Sequence, residues 1–218
     1  GLEVFMILDG FKFSINFLKD NFRKLITIIS IPIILEVLLN SFNTFLETDE
    51  GFTAVYLVII LGLFIQTWAQ CMLIVFIAEK VSTKSLLDLS IYTLYKLPII
   101  IMWSLFVGLA VTLGIFLLIL PGIYIGLRYF FCVFEILLSP KKSAEAMKDT
   151  FTMTEGKAIE IFLYLLPIIM IAILLSIFIY SLTDFFIIGI LYNYLLIIFS
   201  ALYSYYLYTH IQSSTNGT

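Results

Sequence analysis

A chain of 218 residues that is 62% hydrophobic and only 12% charged carries more apolar surface than a soluble fold of this size can hide; soluble domains hold about 25% charged residues. The 12 basic and 15 acidic side chains leave a formal net charge of −3, which excludes the basic footprint of a nucleic-acid binder. Cys71 and Cys132 lie inside apolar runs and His210 is the single histidine, so neither a disulfide framework nor a metal site is expected, and no cofactor.

Taken in chain order, Gly1–Phe5 read as non-native residues ahead of Met6, and no cleavable signal peptide is seen. Phe11, Ile15, Leu18 and Phe22 recur at helical spacing, with Lys12, Asn16, Lys19 and Arg23 on another face. Residues 1–24 are thus expected to form an amphipathic interfacial helix. A membrane-crossing helix needs about 20 mostly apolar residues. Six stretches qualify, with the fourth the shortest: Leu25–Leu46, Phe52–Ala78, Leu97–Leu120, Ile123–Leu138, Ile159–Leu182 and Phe185–Tyr208. Helices are expected between them over residues 82–96 and 140–156. Ser139-Pro140 would open the second of these and Gly156 would close it. Residues 209–218 read as a tail, with Ser213–Thr218 disordered or a tag remnant.

The expected fold is therefore all-α: a polytopic membrane bundle of six spans, residues 25–208, with interfacial helices. Basic residues fix its orientation. Lys12, Lys19, Arg23 and Lys24 precede the first span; Lys80, Lys84 and Lys96 follow the second; Lys141, Lys142, Lys148 and Lys157 follow the fourth. The other three connections carry none, and Arg128 alone departs from the alternation. Both termini are then cytoplasmic. A three-fold pattern of interfacial helix, outward span, tight turn and returning span begins near Phe11, Ser85 and Ser143. Pro32, Pro98 and Pro167 lie in the first span of each unit, and Lys24, Lys96 and Lys157 end each interfacial helix. Shared membrane patterning can produce the same regularity without a true repeat.

Ionisable groups at membrane depth are costly and mark candidate sites. At 1.5 Å per residue, Glu36 and Arg128 each lie roughly 16 Å from the lysine-bearing ends of their spans. Gln66 and Gln70 fall at about 20 and 13 Å. A buried guanidinium has five donors to place, so a Glu36–Arg128 pair completed by the two Gln amides is expected. Glu135, seven residues beyond Arg128, joins this polar cluster near the inner boundary. Structural cross-linking is the leading role; a substrate or ion pathway and outward snorkelling of Arg128 stay open. Gly108 and Gly114 on the third span face Pro121, Gly122 and Gly126 at the start of the fourth, spacings that let two helix backbones approach closely. Trp68, Trp103, Tyr203, Tyr205 and Tyr206 read as packing or interface anchors.

Nothing in the chain provides catalytic machinery. It has no H-E-x-x-H, no G-x-S-x-G, no phosphate-binding glycine loop and no paired carboxylates at one depth, so no enzymatic activity is expected.

Leu120-Pro121-Gly122-Ile123-Tyr124-Ile125-Gly126-Leu127-Arg128, then Ser143-Ala144-Glu145-Ala146-Met147-Lys148 and Thr154-Glu155-Gly156-Lys157, resembles the membrane domain of some bacterial glycerophosphoryl diester phosphodiesterases and the related YciC-like inner-membrane proteins. The likeness covers roughly residues 120–157. Thr150-Phe151 stands where that family often has Ser-Trp, and the soluble phosphodiesterase barrel is missing, so its hydrolytic activity is not implied. The resemblance implies a bacterial cytoplasmic-membrane protein concerned with envelope or lipid homeostasis. Its expected partners are membrane lipids and a homo-oligomer or larger membrane assembly. A small transporter or channel subunit using the Glu/Arg/Gln cluster is the alternative.

Overall fold

The computed structural model describes residues 2–46, 53–79, 85–182 and 186–216. Among these are eight helices and no strand: α1 (Leu2–Leu46), α2 (Thr53–Ala78), α3 (Leu86–Leu117), α4 (Ile119–Arg128), α5 (Cys132–Leu138), α6 (Ser143–Met153), α7 (Ala158–Leu182) and α8 (Phe186–Asn216). The chain is an all-helical bundle. Among the described residues, five stretches are long and apolar enough to cross a membrane: Tyr56–Ala78, Leu86–Leu117, Ile119–Leu138, Ala158–Ile179 and Ile187–Thr215. The expected first span, Leu25–Leu46, is the second half of α1 and is not one of the five. The expected connections at residues 47–51 and 183–184, with Lys80 and Lys84, lie outside the described residues.

In the second unit interfacial helix and span form one continuous helix, whereas in the first they are two helices joined at a kink three residues before the expected boundary. α1 runs 45 residues through Pro32, bent at Asn21 (φ −117°, ψ 15°), whose Nδ2 donates to the Phe17 carbonyl at 3.2 Å. α3 runs 32 residues through Pro98. It opens on a reciprocal cap in which the Asp88 amide donates to Ser85 Oγ at 3.2 Å and the Ser85 amide to Asp88 Oδ2 at 3.3 Å. The proline ring removes one intrahelical hydrogen bond, and in a packed bundle the helix continues past it. The third unit is divided by a turn between α6 and α7. There Gly156 takes φ +71°, a left-handed conformation that ends helices and favours glycine.

Other boundaries move for local reasons. The hairpin between α3 and α4 turns at extended Leu118 (φ −161°, ψ 130°), not at Pro121-Gly122. Pro121 sits in the first turn of α4, where a missing N–H costs nothing. The expected fourth span breaks at residues 129–131 into α4 and α5. Ser139 caps the end of α5, while Lys142 precedes α6. The expected disordered tail is helical through Asn216, because Lys157 Nζ donates to the Ile211 carbonyl (3.3 Å), Ser214 Oγ (2.6 Å) and Thr215 Oγ1 (2.8 Å).

The core is lopsided. Residues 71–77 of α2 are buried on every face, surrounded by α1, α3, α5 and α8. Trp68 Nε1 ties this helix to Thr93 Oγ1 of α3 at 3.1 Å. At the other end of α2, Tyr56, Leu57, Ile59, Ile60, Leu63 and Phe64 are exposed, as are Leu105–Phe106 and Ile115–Leu120 around the α3–α4 turn. Exposed apolar residues in this number need lipid as solvent. The tightly packed end is also where the described basic segments gather. Arg23 and Lys24 share a cavity with Leu86 and Leu89, and Lys96 Nζ donates to the Ile136 carbonyl at 3.3 Å.

Candidate functional site

The residues expected to form one polar cluster form three separate groups. The break after α4 decides where Arg128 goes. Arg128 is 3% exposed and turns toward the end of α6. Its Nε donates to Thr154 Oγ1 at 3.1 Å, one terminal nitrogen to the Tyr124 hydroxyl at 2.7 Å, and the other to the Phe151 carbonyl. The guanidinium also lies 3.7 Å from the centre of the Phe151 ring. Every nitrogen thus has a neutral acceptor, with the negative end of the α6 dipole and an aromatic face nearby. Among the described residues Arg128 makes no ion pair, so the expected Glu36–Arg128 pair is absent. The equal depths assigned to the two residues presumed one straight helix from Arg128 to Ser139.

Glu36 belongs to a second group. It is 6% exposed, and its Oε1 accepts from Gln66 Nε2 at 2.9 Å. The Tyr194 hydroxyl of α8 is turned toward the same carboxylate; among the described residues neither it nor Glu36 Oε2 has a partner at hydrogen-bond geometry. Gln70, four residues from Gln66, is exposed and takes no part. The two amides lie one turn apart along the same side of α2; Gln66 is at the level of Glu36, whereas Gln70, a turn further on, stays exposed.

Glu135 anchors a third group at the lysine-rich end. It is 7% exposed; its Oε1 accepts from the Tyr208 hydroxyl at 2.9 Å, and Gln212 Nε2 donates to that hydroxyl at 3.2 Å. Nearby, Lys141 Nζ meets Asp149 Oδ2 at 2.5 Å. That hydrogen bond, with the charge of Asp149, raises the Lys141 pKa above its ordinary value. Tyr92 also donates from its hydroxyl to the Leu137 carbonyl at 2.7 Å, which with Lys96 covers the open carbonyls ending α5.

The packing glycines divide as well. Gly114 and Gly122 meet backbone to backbone: a Cβ on Gly114 would sit 2.7 Å from Gly122 Cα, and one on Gly122 2.5 Å from Ile115 N and 2.7 Å from the Val111 carbonyl oxygen. A Cβ on Gly126 would meet only Val111 Cγ2 at 3.6 Å, and one on Gly108 nothing within 4 Å. Pro121 is exposed at the turn.

An apolar cleft of about 410 Å³ lies between α1, α7 and α8, lined by Phe11, Leu18, Ile171, Leu175, Leu195 and Phe199 among others. Two members of the apolar stripe expected on the first helix, Phe11 and Leu18, form one wall. Phe11 is held there by Phe199 and Tyr203, at ring-centre distances of 5.5 and 5.6 Å.

Sequence reasoning passed over Thr154, Tyr194, Tyr208 and Gln212 as site residues. Thr154 did stand in the Thr154–Lys157 stretch that carried the family resemblance. The two tyrosines had no signal beyond the aromatic richness of the last span. No family model, curated protein or solved structure matches this chain.

Proposed function

We propose that this chain is a six-span integral protein of a bacterial cytoplasmic membrane, with both ends cytoplasmic, that associates with lipid and performs no catalysis itself. The observation carrying this reading is the contrast between its polar and apolar spaces. Arg128, the costliest group to place in a membrane, spends its donors inside the bundle. The opening between α1, α7 and α8 is instead walled by hydrocarbon side chains, with Ile171, Leu175 and Leu195 exposed at its mouth. Such a cleft accepts an acyl chain and repels a hydrated solute. The described lysines and arginines at one end of the bundle support the orientation, with the second half of α1 as the sixth span. The resemblance of residues 120–157 to the YciC-like membrane domain supports a role in envelope or lipid homeostasis.

Native mass spectrometry of the protein released from detergent tests this. Phospholipid adducts that survive activation are expected on the wild type, with fewer on Leu175→Trp/Leu195→Trp, which narrows the cleft. The same spectra give the subunit number. A lipid-free wild type that conducts a solute in proteoliposomes overturns the proposal in favour of a transporter or channel subunit. That second reading draws on the unpartnered Glu36 Oε2 and Tyr194 hydroxyl.

A further inference from the structure

At the lysine-rich end of the bundle, α5, α6 and α8 enclose a second cleft of about 530 Å³, unlike the first in having a mixed polar lining. Glu135, Lys141, Asp149, Thr152, Tyr208 and Gln212 face it. The charges there do not balance. Lys141 and Asp149 satisfy one another at the rim, where their side chains are 53% and 38% exposed. Glu135 is left deeper in, 7% exposed; among the described residues it accepts a hydrogen bond from the neutral Tyr208 hydroxyl and makes no ion pair, with Lys141 acting on it only at longer range. A nine-tenths-buried carboxylate with one neutral donor is an expensive arrangement unless a cation arrives from outside the chain.

We propose that this cleft binds a primary ammonium group, with Glu135 as its anion. A metal ion fits poorly, because no group of three or more acidic, cysteine or histidine residues able to hold one is found among the described residues, and hard cations require several charged or carbonyl oxygens. A quaternary ammonium also fits poorly. It has no N–H to give the second Glu135 oxygen, and the cleft lacks the ring of aromatic faces that holds such cations; Tyr208, the aromatic residue lining it, points its hydroxyl at Glu135. A primary ammonium supplies both charge and donors, with the Thr152 hydroxyl and Gln212 amide as further partners. Two sources share this chemistry: the headgroup of an amine-bearing phospholipid and a free small amine. The position of the cleft beside the lysine-bearing segments, where headgroups would lie, favours the lipid. That source rests on the lipid reading above; the selection for charge does not.

The test uses the whole protein in detergent. In native mass spectrometry against equal phosphatidylethanolamine and phosphatidylglycerol, the wild type is expected to keep the amine lipid about tenfold better, the fold-change of one charge-assisted hydrogen bond. Phosphatidylcholine should compete no better than phosphatidylglycerol. Glu135→Gln, which keeps the shape and still accepts from Tyr208, should abolish the preference. In parallel, ethanolamine should raise the melting temperature of the wild type but not of Glu135→Gln. If no lipid is retained and ethanolamine still stabilises, the ammonium site stands and the lipid reading falls. If lipids are retained without headgroup preference and ethanolamine has no effect, the ammonium site is overturned and the lipid reading stands. The wild-type headgroup competition decides the matter even if the variant does not fold.

Discussion

Arg128 and Thr154 are joined twice: Arg128 Nε donates to Thr154 Oγ1 at 3.1 Å, and the same hydroxyl lies 2.9 Å from the Arg128 carbonyl oxygen. This double contact fastens the end of α4 to the end of α6 across the break that divides the fourth span. It also explains how a buried guanidinium persists without a carboxylate, since the hydroxyl accepts a hydrogen bond from Nε while its single hydrogen is shared between the Arg128 carbonyl and that of Thr150, 2.8 Å away. Stability should therefore couple Arg128 to Thr154 and not to Glu36. In a double-mutant cycle read by unfolding in mixed micelles, Arg128→Leu with Thr154→Val is expected to be non-additive by about 1–2 kcal/mol. Arg128→Leu with Glu36→Leu should be additive within about 0.5 kcal/mol. The reverse ranking would restore the Glu36–Arg128 pair.

Gln66 and Gln70 lie one helical turn apart and should behave differently. Gln66→Leu strips Glu36 of its one good hydrogen bond and is expected to cost about 1–3 kcal/mol, the penalty for an unsatisfied buried polar group. Gln70→Leu, at an exposed position, should stay within about 0.5 kcal/mol of wild type. Equal effects measured by the same unfolding assay would contradict the placement of Glu36.

The α3–α4 hairpin rests on two glycines, not four. Gly122→Ala forces a methyl group into the backbone of residues 111–115 and should destabilise by about 1–3 kcal/mol as an overpacked contact. Gly108→Ala meets open space and should be neutral or stabilise slightly through helix propensity. Melting temperatures in detergent separate the two, and a tolerated Gly122→Ala would show that the helices are not in contact there.

Lys157 holds the end of α8. Lys157→Met is expected to release the last two turns, seen as faster amide hydrogen exchange over residues 209–216 with little change in residues 71–77 of α2. Unchanged exchange at the C-terminus would mean that Lys157 does not secure it.

Much of this architecture was legible along the chain. Long uncharged stretches separated by polar connections announced membrane-length helices, because apolar periodicity and length are local properties. The Gly156 stop was readable for the same reason, since it depends on a few adjacent residues. Boundaries inside apolar stretches were harder. Nothing in Leu117–Leu120 marks Leu118 as the turn, and Tyr129–Phe131 contains no proline or glycine to announce a break. The polar end of α8 looked like a tail because the lysine that docks it lies more than fifty residues earlier.

By itself, the sequence determined that this chain is helical, that its apolar surface needs lipid, and that its few ionisable groups are the places to look for a site. Only the tertiary structure decided which of those groups meet. A helix presents a new face every 100° of rotation, so one break, such as that at residues 129–131, redirects Arg128 from Glu36 to Thr154 and leaves Glu135 with Tyr208. Composition and spacing record what each helix carries; contact depends on how helices distant in the chain are turned toward one another.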